Sequence, residues 1–490
     1  MGARSPHPTR SSSPPSNPPP LDPPLLPIMS TTRRLLLCAS LAAAATAAEP
    51  AHVSMTRPQE VIASHYTKYG HGSTFVELAD GKLLHVAGTT FSTSSDRGAT
   101  WSKTYGCKDT AGNPVGGGGG CLVRLAGNGV GLAAMKQDLS APTPEEKSWS
   151  THIVFWRSED GGKTWQPPVR ATPPGIQTHI LQDVALRTSS GRIVLPVYTA
   201  MGQKLGPNNA EVPAVGRLVH NQWVSTNAHF HDARFLASYV VYSDDDGRTW
   251  KRNKDGFLYI LHDWNSNFDK TAEPSVAEVA PGRLLMILRT SLNRLYQAWS
   301  HDNGVTWTRP VPTSLAASET PAQIRRLANG HLLIVWNQEG DEEVRRGLNR
   351  TRVSSAISRN GGSVWEFFQN VTTLVPVARV EAGPLRAVRP EQLHFLPGSP
   401  APVRAGPDLG DSDVWIRTSY PSVLVLADRV IVAHTYSRYA EDPVKAELVV
   451  PDSFNQIQRV LPLTWFYGGK PPGENPVLKK VTDAATTARP

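Results

Sequence analysis

The sequence predicts an all-β protein folded as a six-bladed β-propeller with Asp-box repeats. Two internal repeats support this prediction: an eight-residue motif that occurs five times, and a hairpin pattern that occurs six times out of phase with the motif. Repeats of this length are typical of folds in which each unit buries its apolar surface only against its neighbours. The 490 residues, 39% of them hydrophobic, are ample for such a core.

The eight-residue motif, the Asp box, reads S-x-D-x-G-x-T-W. Its Asp carboxylate can accept backbone N–H bonds in a tight turn, its Gly permits a positive φ, and its Trp fills the adjacent apolar layer. We therefore interpret the boxes as structural turns and assign none of their residues to catalysis. Intact copies occupy 94–101, 158–165, 243–250 and 300–307, and a degraded copy occupies 358–365.

The second repeat is an apolar run, a turn containing Gly or Asp, and another apolar run, which predicts a β-hairpin. It occurs at 76–88, 123–135, 185–198, 276–289, 323–337 and 423–436. Five of the six hairpins are followed by an Asp box, so each repeat predicts one four-stranded blade. The last hairpin lacks a box, which we interpret as the place where the ring closes. A β-solenoid would need a shorter and more even repeat.

The first 48 residues are expected to lie outside the propeller. Residues 1–28 hold ten of the 42 prolines, a composition too poor in apolar side chains to pack, and are predicted to be disordered. Two arginines, an apolar run at 35–45 and a small-residue cleavage site predict a signal peptide at about 29–48. A membrane anchor would need about 20 apolar residues. We therefore expect a secreted or periplasmic protein.

The mature chain is expected to comprise the propeller at 49–466 and a flexible C-terminal tail at 467–490. Removing the signal peptide leaves two of the three cysteines, Cys107 and Cys121, on either side of a Gly-rich segment. In an exported protein this pair predicts a disulfide, with two unpaired thiols as the alternative.

Polar residues cluster at the positions that a propeller would bring together. The first strand of each blade lies nearest the central channel, so residues shortly before and after the hairpins should converge on one mouth. The residues so placed are His71, Asp183, Glu273, Glu319 and Tyr420 before the turns, and Tyr198, Arg289, Asn337 and Tyr436 after them. The alternative for any one of them is that it satisfies backbone groups around a water-filled channel.

The chain resembles the sialidase (neuraminidase) superfamily, specifically its BNR-repeat, sialidase-like secreted branch, over about residues 65–440. The resemblance rests on the Asp boxes, on the segment 273–338, on RTRVSSAIS at 350–358 and on YPSVLVLADRVIVAHTYSR at 420–438. It implies that Tyr420 is a nucleophile, that Glu273 is its base, and that Arg289 and Arg350 bind a sugar carboxylate. Glu273 precedes Arg289 by 16 residues, as in the family pattern.

These implied roles suit an anionic sugar. A phenol with a pKa near 10 needs a neighbouring carboxylate to take its proton. Because the phenol itself is neutral, it does not repel an anionic sugar as an ionised nucleophile would. The planar fork of Arg pairs two donors with two carboxylate oxygens. Asn337, Glu319 and Tyr436 are predicted to assist in binding.

Two parts of the sialidase pattern are not found in this chain. The opening of the first blade reads Tyr69-Gly70-His71-Gly72 where the family has an Arg, and no Asp acid follows the first hairpin. A replacement acid is predicted among His71, Asp183 and Glu319, since the surroundings of any of these side chains could shift its pKa to near 7.

No cofactor or metal site is predicted. The polyglycine run at 116–120 lacks the Lys and Ser/Thr of a phosphate-binding loop. His229, His231 and Asp232 lie in a long insertion, at 200–237, without a distant further ligand, and that insertion could instead be a lid. A glycan is the expected partner, with neither nucleic acid nor stable membrane insertion. The net charge of +8 becomes +8 − 3 = +5 without Arg4, Arg10, Arg33, Arg34 and Asp22 of the predicted leader, and this is a weak indication of an anionic ligand.

Three functions remain open from the sequence. The first is a sialidase-type glycoside hydrolase acting on a terminal, acidic sugar. The second is another carbohydrate-active propeller, a hydrolase or lyase of uronate- or rhamnose-containing glycans with His71 and Tyr420 as acid and base. The third is a non-catalytic, lectin-like propeller. The presence of both Glu273 and Tyr420 favours an enzyme.

Overall fold

The computed structural model describes residues 53–473 with internal gaps. The residues omitted are 139, 141–149, 202–215, 220–221, 226–234, 262–267, 270, 291, 341, 344–345, 347, 349, 384–413, 443–446 and 450–452. The predictions of a disordered segment and a signal peptide therefore lie outside the described residues, as do the His229 cluster and most of the predicted lid.

The described strands form six antiparallel sheets of four or five strands, together with two separate strand pairs, and this confirms the predicted all-β, six-bladed propeller. The first strand of the chain is β1 (Ala63–Thr67). Blade one contains β2 (Ser73–Glu77), β3 (Leu83–Ala87), β4 (Thr90–Ser94) and β5 (Tyr105–Gly106). Blade two contains β6 (Gly118–Arg124), β7 (Val130–Lys136), β8 (His152–Ser158) and β9 (Val169–Arg170).

Blade three has a hairpin inserted between its second and third strands. Its strands are β10 (Leu186–Arg187), β11 (Ile193–Met201), β14 (Phe235–Ser243) and β15 (Lys251–Arg252), and the insertion is β12 (Gly216–Val219) with β13 (Gln222–Ser225). A short pair, β16 (Ile260–Leu261) and β17 (Phe268–Asp269), precedes blade four. Blade four contains β18 (Ala272–Ala280), β19 (Arg283–Arg289), β20 (Arg294–Ser300) and β21 (Val311–Ala316).

Blades five and six complete the ring. Blade five contains β22 (Gln323–Arg326), β23 (Leu332–Trp336), β24 (Arg352–Ser358) and β25 (Glu366–Thr373). Blade six contains β26 (Val414–Val425), β27 (Arg429–Asp442) and β29 (Gln456–Pro462), and the short strand β28 (Glu447–Val449) pairs with the end of β27. Two 3-10 helices, Pro58–Glu60 and Leu463–Tyr467, flank the strands.

The ring is closed by the N-terminal strand. β1 pairs with β29, with Ala63 opposite Val460, and so forms the outermost strand of blade six. The innermost strand of this blade, β26, contacts β2 of blade one. Because β1 supplies the outer strand, blade six needs no third-to-fourth-strand turn, and this explains the missing sixth Asp box.

Each predicted hairpin forms the first two strands of a blade, and its apolar residues serve two cores. In β19, Leu284 and Met286 face blade three, whereas Leu285 and Ile287 face blade five. Successive side chains point to opposite faces of a strand, so a sheet packed on both sides needs a continuous apolar run. The hairpin of β18 and β19 therefore has two apolar faces along β19.

The Asp boxes join the third and fourth strands of blades one to five, at the end of the propeller opposite to the start of the first strands. In the third box, Asp245 accepts bonds from Ser243 Oγ at 2.7 Å and from Thr249 N at 2.8 Å. Burial opposes ionisation, but hydrogen bonds from Thr249 and Ser243 outweigh it and lower the pKa of Asp245 to about 2. The degraded fifth box keeps the turn, because Asn360 Oδ1 accepts from Val364 N at 2.8 Å.

The predicted disulfide is wrong, because Cys107 and Cys121 are free thiols. Cys121 lies in the core between blades two and three, where its thiol donates to Leu181 O at 3.1 Å. Cys107 packs against the core between blades one and two, on the side to which Leu122 points. The sheet of blade two thus separates the two sulfur atoms, and closeness along the chain does not bring them together.

The 3-10 helix after blade six is part of the packed structure. Trp465 and Phe466, at the predicted end of the propeller, and Tyr467, the next residue, are fully buried against blades five and six. The tail prediction for 474–490 lies outside the described residues. In the part of the chain that the structure describes, no helix has the length and apolar character needed to cross a membrane.

Candidate active site

Tyr420, Glu273 and Arg289 meet at the mouth of the channel, the end at which the first strands of the blades begin. Tyr420 lies in β26, Glu273 near the start of β18 and Arg289 at the end of β19. The Tyr420 hydroxyl donates to Glu273 Oε1 at 3.2 Å, and Arg289 Nη1 donates to Glu273 Oε2. Arg289 Nη1 also lies 3.4 Å from Tyr420 Oη. A phenol, a carboxylate and a guanidinium are thus in mutual contact.

Arg350 and Glu319 lie beside this group. The guanidinium carbon of Arg350 is 5.7 Å from the centroid of the Tyr420 ring, and its Nη2 donates to Glu319 O at 3.1 Å. Burial disfavours the charge of Arg289, yet the neighbouring Glu273, Tyr420 and Glu319 raise its pKa. We refer to these five residues as the Tyr420 cluster.

The backbone is strained at four of the predicted site residues. Residues other than Gly rarely adopt a positive φ, and each such position costs about 1–3 kcal/mol and persists only where its surroundings enforce it. The four are Asp183 (φ 60°), Glu273 (φ 44°), Arg350 (φ 59°) and Tyr420 (φ 55°). Strain of this kind concentrates at functional sites, so its presence at these residues supports a functional role.

Irregular strand pairing accompanies the strain. The register of β18 shifts between Ala272 and Ser275, on either side of Glu273, and that of β26 shifts between Ser419 and Ser422, around Tyr420. A bulge re-aims side chains that regular alternation would send to one face. The two bulges explain how a carboxylate and a phenol from different blades point at each other.

Burial determines the protonation state of the phenol. Burial and the adjacent Glu273 raise the pKa of Tyr420, while Arg289 and Arg350 oppose the shift. The phenol therefore stays protonated at neutral pH and needs a base before it can attack. Glu273 Oε1 is positioned to be that base.

His71 stacks on the phenol from blade one. The two ring centroids are 5.1 Å apart, with an angle of 30° between the planes, and the His71 side chain is exposed to solvent. The preceding residue is held by blade six: Gly70 N donates to Asn455 Oδ1 at 2.8 Å, and Gln456 Nε2 donates to Gly70 O at 2.7 Å. An imidazole thus occupies the blade-one position at which the family pattern has an Arg.

Asp183 lies deeper in the channel and binds other protein groups. Its carboxylate accepts from Thr74 Oγ1 at 2.9 Å, Phe75 N at 3.3 Å and Val423 N at 2.7 Å, and it pairs with Arg325 at 2.8 Å. Burial raises its pKa, and Arg325 opposes the shift. These partners come from blades one, five and six, so Asp183 connects blades across the channel.

Asn337 and Tyr436 are fully buried below the mouth. Asn337 Nδ2 donates to Thr418 O at 2.6 Å and also to a backbone carbonyl of β24, tying blade five to the strand that carries Tyr420. Tyr436 lies in a separate apolar cluster and stacks on Phe454 at 5.2 Å. The structure therefore does not bring these two side chains into the Tyr420 cluster.

Tyr198 and His179 also lie near Glu273, and Arg417 precedes Thr418, whose N donates to Arg350 O at 2.7 Å. Tyr198 and His179 exchange backbone hydrogen bonds at 2.8 and 3.0 Å, and their rings stack at 5.4 Å. Burial and then Glu273 raise the pKa of Tyr198, whereas burial lowers the pKa of His179 against the opposing charge of Glu273. The hairpin pattern indicates Tyr198, but no sequence pattern indicates His179 or Arg417, because neither stands at a regular distance from a turn.

Residues 126–432 match the family model of the BNR repeat-like domain. The match covers more than half of the chain and contains Glu273, Arg289, Arg350 and Tyr420. The chain belongs to the BNR repeat-like family. This confirms the resemblance to BNR-repeat, sialidase-like proteins that the motifs indicate.

Solved structures similar to this BNR repeat-like chain include sialidases. A Hadza microbial sialidase shares 16% identity at a TM-score of 0.46, over 83% of this chain and 67% of that one. A Dyadobacter fermentans protein of unknown function shares 16% sequence identity at a TM-score of 0.48, and the match covers 84% of this chain and 100% of that one. Trypanosoma rangeli sialidase in complex with 2,3-difluorosialic acid shares 16% sequence identity at a TM-score of 0.46, and the match covers 83% of this chain and 56% of that one.

The donor set of this BNR repeat-like site suits an organic anion. Among the described residues, no group of three or more His, Cys, Asp or Glu side chains is arranged to hold a metal ion. The described cluster contains arginines with a phenol and carboxylates, and guanidinium groups bind carboxylates in a bidentate manner.

Proposed function

We propose that this protein is a glycosidase of the sialidase type, acting on a terminal, acidic sugar of a glycan. The observation that carries the proposal is the contact of Tyr420 Oη with Glu273 Oε1 at 3.2 Å, beside Arg289 and in strained backbone. A half-buried phenol hydrogen-bonded to a carboxylate is the arrangement that an activated Tyr nucleophile requires. The adjacent arginines supply the ligands for a sugar carboxylate.

The proposed reaction has two steps. In the first, Tyr420 Oη bonds to the anomeric carbon while Glu273 takes the phenolic proton, and the bond to the leaving oxygen breaks as His71 protonates that oxygen. In the second, water attacks the same carbon and gives a proton to His71, and the Tyr420 oxygen leaves and regains its proton from Glu273. The configuration at the anomeric carbon is retained.

A second candidate is elimination from a uronate. The stacking of His71 on Tyr420 at 5.1 Å favours it, because the two side chains could act as an acid–base pair on one sugar without a covalent step. The product would then carry a double bond instead of an added water molecule.

A panel of glycans distinguishes these candidates. The purified protein is incubated with glycans that end in sialic acid, uronic acid, rhamnose or neutral hexose, and the released sugars are identified by mass. We expect release of a saturated, acidic terminal sugar. An unsaturated product would establish elimination instead, and binding without release would identify a lectin.

The role of His71 is tested by the leaving group. His71→Ala should slow release from a natural glycan at least about 10-fold, because an alcohol leaves poorly without a proton. It should hardly change kcat/KM for the corresponding nitrophenyl glycoside, because this quantity reports the first step and the nitrophenolate leaves without an acid. The two substrates are therefore compared by kcat/KM, which excludes the second step. His301→Ala, in the fourth Asp box at the other end of the propeller, is the matched control. Equal losses on both substrates would exclude His71 as the acid.

A further inference from the structure

The backbone of Tyr420 departs from the conformation that its own sequence favours. Tyr420 precedes Pro421, and the proline ring restricts the residue before it to extended backbone. The φ of Tyr420 is instead 55°, in the left-handed region. The register shift between Ser419 and Ser422 interrupts the pairing of β26 with β27 at the same place. Contacts from outside these two strands must therefore hold the conformation of Tyr420.

A turn between blades two and three supplies two such contacts. Residues 181–184 lie between β9 and β10. Gln182 Nε2 donates to Tyr420 O at 3.1 Å, within the bulge of β26. Just after the bulge, Val423 N donates to Asp183 Oδ2 at 2.7 Å. Adjacent side chains of one turn thus bind the backbone of β26 where its own sheet does not.

The turn is itself fixed by blades two and five. Asp183 N donates to Gly120 O of blade two at 2.9 Å. Gln323 Nε2 of blade five donates to Gln182 O at 2.8 Å. Only 2% of the surface of Gln182 is exposed, so bulk water does not readily replace its amide. The donor that meets Tyr420 O is therefore held in a rigid frame.

We propose that Gln182 is a positioning residue for Tyr420. Its amide holds Tyr420 O, and with it the left-handed backbone that directs the phenol to Glu273 Oε1. Gln182 acts through this backbone contact and not on the sugar, so it supports the attack of the phenol and leaves sugar binding to other residues. This inference rests on the proposed function, because Tyr420 is the nucleophile proposed there.

Gln182→Met tests this role, because methionine has a similar length and lacks the donor. On a glycan that the wild type cleaves, kcat/KM should fall at least about 10-fold, since a misplacement of about 1 Å can cost about 100-fold in rate. The Kd for the sugar product should hardly change. Asn253→Leu is the matched control: it removes a buried amide that donates to Gly256 O at 2.8 Å, beside the outermost strand of blade three. It should alter neither quantity.

Gln182→Glu separates positioning from the filling of space. The variant keeps the shape of the side chain, but its carboxyl group donates a hydrogen bond only when protonated. Burial raises the pKa of such a group above its ordinary value of about 4.3. The ratio of variant to wild-type kcat/KM should therefore rise as the pH is lowered through that pKa. A ratio that is independent of pH would mean that Gln182 only fills space, and would overturn the inference.

A measurement without turnover separates this inference from the proposed function. The protein is prepared with fluorotyrosine, and the NMR signal of Tyr420 is assigned by its loss in Tyr420→Phe. Gln182→Met should shift this signal and Asn253→Leu should not. If Gln182→Met does not fold, the signal of Gln182→Glu should move towards the wild-type position when the pH is lowered.

Each outcome decides one of the two proposals. If the signal stays in place and Gln182→Met keeps the wild-type kcat/KM, the inference is wrong and the proposed function stands. If the signal shifts but the wild type cleaves no glycan, Gln182 positions Tyr420 and the catalytic proposal fails.

Discussion

Tyr420→Phe is expected to reduce kcat about 100-fold or more on a glycan that the wild type cleaves. The substitution removes one oxygen, and a phenyl ring can neither attack the anomeric carbon nor give a proton to Glu273. The ring remains to stack against His71 and Arg350, so the Kd for the sugar product should change little. Steady-state kinetics and product binding on the same preparation measure both quantities.

Two further tyrosine variants control this experiment. Tyr105→Phe alters an exposed phenol on the outermost strand of blade one and should leave kcat unchanged. Tyr198→Phe alters the second phenol near Glu273 and should have a smaller effect than Tyr420→Phe. If Tyr198→Phe abolished turnover while Tyr420→Phe retained it, the nucleophile would be Tyr198 and the mechanism proposed for Tyr420 would be wrong.

Asp183→Ala is expected to lower the free energy of unfolding by about 3–5 kcal/mol, the usual cost of removing one partner from a buried ion pair. The change leaves Arg325, Val423 N and Thr74 Oγ1 without their shared acceptor. Alanine also tolerates the positive φ of residue 183 less well than Asp does. Urea denaturation followed by Trp fluorescence measures the loss.

Milder variants test the cause. Asp183→Asn tolerates the left-handed backbone and keeps one acceptor oxygen, so it should lose less stability than Asp183→Ala. Asp428→Ala removes an exposed carboxylate from its pairs with Arg97 and Arg429 and should cost no more than about 1 kcal/mol. An Asp183→Ala protein that unfolds at the wild-type urea concentration but has lost turnover would make Asp183 a catalytic residue.

The positions of the blades could be predicted because their signals are local. The run Arg283–Arg289 is apolar at every inner position since both faces of its sheet are buried, and the turn at Gly282 marks where it begins. The Asp boxes specify their turns through contacts within eight residues, such as Asp245 with Thr249. Even the missing sixth box indicates the closure of the ring.

The sequence also predicted the convergence of Tyr420, Glu273 and Arg289. The register of the hairpins places residues before and after each turn at the same mouth. The spacing of the hairpins cannot separate Glu273 from Asp183, since both stand a similar distance before a hairpin turn, at Gly282 and Gly191. Only the packed channel decides that Asp183 pairs with Arg325 and links blades, while Glu273 faces a phenol.

By itself the sequence determined the six blades, their order and the polar residues at one mouth, since turn chemistry and alternation depend on neighbouring residues. The tertiary structure alone decided that Cys107 and Cys121 lie on opposite sides of blade two, and that Glu273 and not Asp183 meets the hydroxyl of Tyr420. Both outcomes depend on which face of a strand a side chain takes after bulges and blade packing are complete. The left-handed φ of Tyr420, which lets β26 break its alternation, is imposed by surrounding blades and has no local sequence signal.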